Sequence, residues 1–271
     1  MPYRQRPPSL NQKTYFFSDV HLGLGTKEDD RKREQRVIRF LDMVRNDGKA
    51  LYILGDLFDY WFEYKTVVPK GYFRLFAKLS DLSYRGIQII YLAGNHDFWL
   101  KNYLSEELGI RIFRDPIEQI IGGKKFYLDH GDGLLKNDIG YRMLKRILRN
   151  KMNIFLFSLV HPDLTTSIAR WSSRKSRAYT SKKSFEGNDM VEFAKKKIAE
   201  GFDVVIMGHN HQSVFRELGR GVYVNIGDWI RENTYAVFDG NKIQLKKWGE
   251  ANHHPHRPNP IHKPQSARPQ R

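Results

Sequence analysis

Residues 50–56 read ALYILGD, five apolar residues that run without a break into a glycine and an aspartate. A run this short, closed by a turn residue, reads as a strand buried on both faces. It delivers Asp56 to the strand's C-terminal edge. The pattern recurs on either side. Upstream, residues 13–18 (KTYFFS) form a second buried strand ending at Asp19, and downstream residues 87–93 (IQIIYLA) end at Gly94-Asn95-His96-Asp97. Between these strands, Val37, Ile38, Leu41 and Val44 recur at helical spacing from about Asp29 to Arg45, and a second helix is expected from about Gly71 to Arg85. The order βαβαβ predicts an α/β fold with adjacent strands joined by right-handed crossovers.

The second half ends its strands the same way. Residues 124–129 (KKFYLD) lead into His130-Gly131-Asp132, 203–207 (DVVIM) into Gly208-His209-Asn210-His211, and 221–225 (GVYVN) into Ile226-Gly227-Asp228. Ligands of open α/β sheets bind at the C-terminal ends of the strands, so these clusters are expected to converge on one site.

The letters in those clusters suit a pair of divalent cations. The chain has no cysteine, so any ion is held by His, Asp, Glu or Asn, which favours hard or borderline metals such as Mn²⁺ or Mg²⁺. Two such ions about 3.5–4 Å apart repel, and a bridging carboxylate lowers that cost. Asp56 is the candidate bridge. Asp19 with His21, and His209 with His211, form i,i+2 pairs able to reach one centre from an extended segment or a tight turn, and Asn95 adds a neutral oxygen. A bound ion pair polarises a phosphoryl group and brings water's pKa toward neutrality. His96 is placed to donate a proton to a leaving oxygen or to stabilise charge. Asp97 reads as an orienter of histidine.

The formal net charge is +16, which calls for an anionic partner: nucleic acid, a phosphorylated substrate or an acidic membrane surface. Ten of those charges fall within residues 135–184, where 12 Lys or Arg face two acids. Residues 141–160, YRMLKRILRNKMNIFLFSLV, alternate basic and apolar residues as an amphipathic helix does. The longest apolar stretch, residues 154–160, is too short to cross a bilayer. The N-terminus, MPYRQRPPSL, has no apolar run of the signal-peptide kind, so a cytoplasmic location is expected. From Gly249 the sequence turns to His, Pro, Arg and Asn, a composition that buries too little to fold and reads as a solvated basic tail.

Taken in order, D-x-H (Asp19, His21), GD (Gly55, Asp56), GNHD (Gly94–Asp97), a histidine after a strand (His130) and GHNH (Gly208–His211) resemble the motifs of the calcineurin-like metallophosphoesterase superfamily. That resemblance implies a two-sheet α/β sandwich. It also implies one ion on Asp19, His21, Asp56 and His211, and a second on Asp56, Asn95, His130 and His209, with Asp56 and His96 catalytic. The stretches FFSDVHLG, LGDLFDYWFE, LAGNHDFWL and DHGDGLLKNDIGYR are similar to the family of UDP-2,3-diacylglucosamine pyrophosphatases of bacterial lipid A synthesis.

This second likeness implies hydrolysis of a nucleotide-linked glycolipid to UMP and 2,3-diacylglucosamine 1-phosphate, with Mn²⁺, at the cytoplasmic face of the inner membrane and with no nucleic-acid partner. It implies a core of residues 1–134 and 185–248, a basic helical lid insertion at 135–184 and a tail at 249–271. Substrate contacts would come from Asn95, His96, Asp138, Ser176, Thr180, Lys183 and His209. The chain departs from the best-known members of that family at His96, where they carry Arg, and at Thr180, where they carry Asn. Those departures leave open another nucleotide pyrophosphate or phosphodiester as substrate, and a non-catalytic basic binding module is the competing class.

Overall fold

The computed structural model describes residues 12–134, 139–168 and 188–249. Two sheets pack face to face with helices outside. The first has strand order β11-β10-β1-β2-β3-β4, with β1 Lys13–Phe17, β2 Gly48–Leu54, β3 Gln88–Leu92, β4 Arg111–Phe113, β10 Thr234–Phe238 and β11 Ile243–Lys247. The second runs β5-β6-β7-β9-β8, with β5 Ile117–Ile121, β6 Lys124–Leu128, β7 Val204–Met207, β8 Ser213–Leu218 and β9 Gly221–Ile226. The expected neighbours are neighbours: β1, β2 and β3 pair in parallel, as do β6, β7 and β9. All six of the polar strand ends therefore lie on one rim of the sandwich.

Alternation along each strand divides the core into layers. Phe16, Tyr52, Leu54, Ile90 and Leu92 face inward onto Phe126, Leu128, Ile206 and Val224 of the other sheet. Their neighbours Tyr15, Phe17, Leu51, Ile53, Ile89 and Tyr91 face outward. Over that outer face lie helices α1 (Lys27–Asp47), α2 (Phe73–Tyr84) and α3 (Tyr103–Leu108). On the far side, Tyr127, Val205, Met207 and Tyr223 meet the helix at Asn188–Ala199 through Met190, Ala194 and Ile198. Strands covered on both faces must be apolar throughout, which is why ALYIL does not alternate.

Helix α1 starts at Thr26, whose side chain accepts the N–H of Asp29 at 3.1 Å, and Glu28, Asp29 and Asp30 place negative charge at the positive helix end. Val37, Phe40, Leu41 and Val44 bury against the sheet. Its polar residues hold the rim. Arg33, buried, donates to His21 O at 2.6 Å and Leu24 O at 3.3 Å, while Arg36 donates to Trp229 O at 3.3 Å and to Asn233.

The basic segment departs from a single amphipathic helix. It breaks into α4 (Ile139–Leu148) and α5 (Lys151–Ser158), because the Asn150 side chain accepts the N–H of Met152 at 2.9 Å and caps a new helix there. Residues 162–168 form α6, and Asn188–Ala199 is α7. Phe157 of α5 packs on Trp99 and Phe62 with ring centroids at 5.1 and 5.0 Å, and Trp99 Nε1 donates to Leu148 O at 3.2 Å. The tail from residue 250 lies outside the described residues.

Candidate metal centre

The backbone at the rim is unusual. Asp19, His21, Asp56, His209 and His211 all have positive φ, between 50° and 72°. That left-handed region is sparsely used by residues other than glycine, though Asp and His tolerate it better than most. In both i,i+2 pairs, left-handed residues bracket one other residue, so the two side chains reach one centre from a tight turn and not from a regular strand. Val20, between Asp19 and His21, is fully buried in the core.

The turns gather the side chains in two adjoining groups. Asp19, His21 and His211 offer ligand atoms within 4.8 Å of one another, and so do Asp56, His130 and His209. Asp56 stands between the groups: its Oδ2 is 3.7 Å from His21 Nε2 and 3.4 Å from His130 Nε2, while its Oδ1 accepts the N–H of His96 at 2.9 Å. Asn95 Oδ1 is 3.1 Å from His130 Nε2.

The donor set fits divalent cations on three observations. Asp19 Oδ1 is buried and has no hydrogen-bond partner among the described residues. His21 and His211 bring their Nε2 atoms to 3.2 Å, while their Nδ1 atoms lie 3.5 Å from Asp59 Oδ1 and 3.2 Å from Asp228 Oδ2. With the ring protons on Nδ1, two lone pairs face each other, an arrangement that a cation resolves. His130 repeats it: Nδ1 donates to Leu54 O at 2.8 Å, and Nε2 then faces the oxygens of Asp56 and Asn95.

The electrostatics agree. Burial works to raise the carboxyls of Asp19 and Asp56, yet the surrounding histidines outweigh it, His21 and His211 for Asp19 and His130 and His96 for Asp56, and both are held well below the usual range. Burial opposes charge on His130, but Asp56 overcomes it and pushes that imidazole well up. His209 is lowered to about 4 by burial and by His130 beside it. The pocket thus keeps Asp19 and Asp56 ionised and His209 neutral, the forms in which these side chains ligate a cation.

His96 stands at the edge of the site with its Nδ1 3.0 Å from Asp59 O, and its ring meets that of His21 edge-on at 4.9 Å. Asp97 differs from its expected role. Its carboxylate accepts the N–H groups of Gly94 at 2.8 Å and Phe58 at 3.3 Å and the hydroxyl of Tyr91, so it clamps the loop that carries Asn95 and makes no hydrogen bond to a histidine among the described residues. Burial and the nearby Asp56 raise it to about 6. Two orienting carboxylates, Asp59 and Asp228, are not apparent from motif spacing alone. Asp228 ends a strand that the sequence does mark, whereas Asp59 lies within the FDYWFE run, which carries no signal of its role.

A cavity of about 230 Å³ opens beside His130, lined by residues including Arg114, Tyr127, Asp132, Lys145, Arg149 and Phe193. Lys145 of α4 pairs with Asp132 at 2.7 Å, so the basic helices rest against the rim. Asp138, Ser176, Thr180 and Lys183 lie outside the described residues.

Residues 12–213 match the family described as calcineurin-like phosphoesterase. A UDP-2,3-diacylglucosamine hydrolase of Porphyromonas gingivalis is 38% identical over 256 residues, covering 88% of this chain and 98% of that protein. One of Azotobacter vinelandii is 30% identical, covering 86% and 97%. A solved archaeal phosphodiesterase superposes with a TM-score of 0.45 and 19% identity, over 88% of this chain and 100% of that one.

Proposed function

The chain belongs to the calcineurin-like phosphoesterase family, and from that premise we propose that it hydrolyses the pyrophosphate of UDP-2,3-diacylglucosamine to UMP and 2,3-diacylglucosamine 1-phosphate in lipid A synthesis. The observation that carries the chemistry is Asp56 Oδ2, set between His21 and His130. What supports the substrate is the likeness, over nearly their whole lengths, to relatives named for it.

Asp19, His21, Asp56 and His211 would hold one divalent ion, and Asp56, Asn95, His130 and His209 the other. The nitrogen and oxygen donor set suits Mn²⁺. When bound, the ions supply Lewis-acid polarisation of the phosphoryl group and an acidified water. The residues supply the rest. Asp59 O fixes the Nδ1 side of His96, so its Nε2 serves the oxygen that leaves with the sugar phosphate when water attacks the phosphorus carrying uridine. Arg114, Lys145 and Arg149 beside His130 favour an anionic substrate. Residues 135–184 act as the lid, with Asp138, Ser176, Thr180 and Lys183 touching substrate. Mn²⁺-loaded protein is expected to release UMP from UDP-2,3-diacylglucosamine; a loaded enzyme that yields none would sink this reading. His96, standing where the best-known UDP-2,3-diacylglucosamine pyrophosphatases carry Arg, keeps a second reading alive, in which an unacylated nucleotide pyrophosphate or a phosphodiester is turned over at least as fast.

The protein works as a peripheral enzyme on the cytoplasmic face of the inner membrane. No helix among the described residues is long and apolar enough to cross a bilayer. Met143, Ile147, Met152, Phe155, Leu156 and Leu159 of α4, α5 and the turn after them are exposed, in a segment also rich in Lys and Arg. Apolar side chains beside basic ones are the composition of an interfacial helix. Replacing Phe155 and Leu159 by serine is expected to cut sedimentation with phosphatidylglycerol vesicles by at least about tenfold, a change that the loss of about two buried CH₂ groups at roughly 0.8 kcal/mol each already supplies. Unchanged sedimentation would remove this patch from the membrane contact.

A further inference from the structure

The two halves of the site are held by different means. His130 is oriented by a main-chain carbonyl, Leu54 O, at the end of a central strand. His211 is oriented by a side chain, Asp228, at 3.2 Å. Asp228 is buried, and its other oxygen accepts the N–H groups of Ile230, Arg231 and Glu232 at 3.2, 2.8 and 3.0 Å. Turning that oxygen to His211 would leave three backbone donors unpaired, so each oxygen has one task. The same loop reaches the other ligands of this half. Trp229 N–H donates to Asp19 O at 3.0 Å, and Glu232 Oε2 accepts the N–H of Ser213, two residues after His211, at 2.7 Å.

We propose that Asp228 is a positioning residue that sets the occupancy of one ion site only, that of Asp19, His21 and His211, while the site at Asn95, His130 and His209 is held by the sheet. The inference rests on the two-ion reading above and is independent of the substrate. The Asp228 carboxylate keeps the proton of His211 on Nδ1, which leaves Nε2 with the lone pair that a metal needs. In Asp228→Asn, the three loop N–H groups select the amide carbonyl, and the amide NH₂ falls opposite Nδ1. The imidazole then carries its proton on Nε2 and cannot ligate.

The test is a calorimetric Mn²⁺ titration of the ion-free wild type, Asp228→Asn and Asp228→Ala, with the melting temperature of each ion-free protein. The wild type is expected to take two ions. Both variants should keep one ion at wild-type affinity and bind the other about 10- to 100-fold more weakly. The ion-free Asn variant should melt close to the wild type, because the loop keeps its cap, whereas the Ala variant should melt lower. A purely structural role would instead make alanine harmful and asparagine harmless to both ions. Two ions of unchanged affinity in Asp228→Asn, or equal weakening of both, would overturn the inference alone. A wild type that takes fewer than two ions would overturn the two-ion reading and this inference with it.

Discussion

Asp56→Asn is expected to reduce UMP release by at least about 1,000-fold, roughly 4 kcal/mol of lost transition-state stabilisation. The expectation follows from position. Asp56 is the carboxylate shared by both ligand groups, and its second oxygen fixes the N–H of His96. The amide keeps the shape but would bring no charge to offset cations at the two ligand groups and would present an NH₂ toward one of them. Loss of turnover should therefore accompany loss of Mn²⁺, measured as metal per chain, while the circular dichroism spectrum stays that of the wild type. The basic, apolar helices are untouched, so sedimentation with acidic vesicles should persist. A variant that retained turnover would exclude Asp56 as the bridge.

The second large effect is expected from the mildest substitution, Gly94→Ala. A Cβ at Gly94 would stand 2.6 Å from Asp56 N and 2.8 Å from Asp56 Cγ, closer still to the carboxylate oxygen. Neither the backbone nor that carboxylate can give way, since Asp56 is itself in a left-handed turn and Asp97 clamps Gly94 N from the other side. One methyl group thus pushes the Asp56 turn away from the Asn95 turn. Overpacking of this kind costs about 3 kcal/mol, which for a chain of this size lowers the melting temperature by roughly 6–12 °C. Activity should fall with it, because two ligands separate. Thermal melting and metal content decide the matter, and a variant that melts as the wild type and binds two ions would disprove the close approach.

These cases also show which parts of the molecule the sequence makes legible. The parallel strands are readable because burial on both faces writes an unbroken apolar run, and each run ends in its polar cluster. The antiparallel strands are harder. Β8, SVFREL, is largely exposed and has no apolar run to mark it, and β11, IQLKK, runs out into exposed lysines, whereas β10, TYAVF, is apolar and buried but ends in no cluster of metal-ligating residues. The β5–β6 hairpin did carry a signal, since Gly122-Gly123, both at positive φ, sits between IEQII and KKFYL. The candidate ligands stand in motif order and can be picked from the letters. Asp228 cannot, because its role depends on His211, 17 residues earlier and on the other side of a hairpin. Asp59 meets His21 and His96 only after three strand ends have been brought to one rim.

The left-handed turns carry a lesson for anyone who would transplant this centre into another scaffold. Grafting D-x-H and H-x-H onto regular strands would send the two side chains of each pair along the same face, one pleat apart, and the letters would be present without the site. What must be copied is a set of dihedral angles at Asp19, His21, Asp56, His209 and His211, together with the buried Val20 that anchors the first turn. A search for similar centres is better made on backbone shape first and on residue identity second.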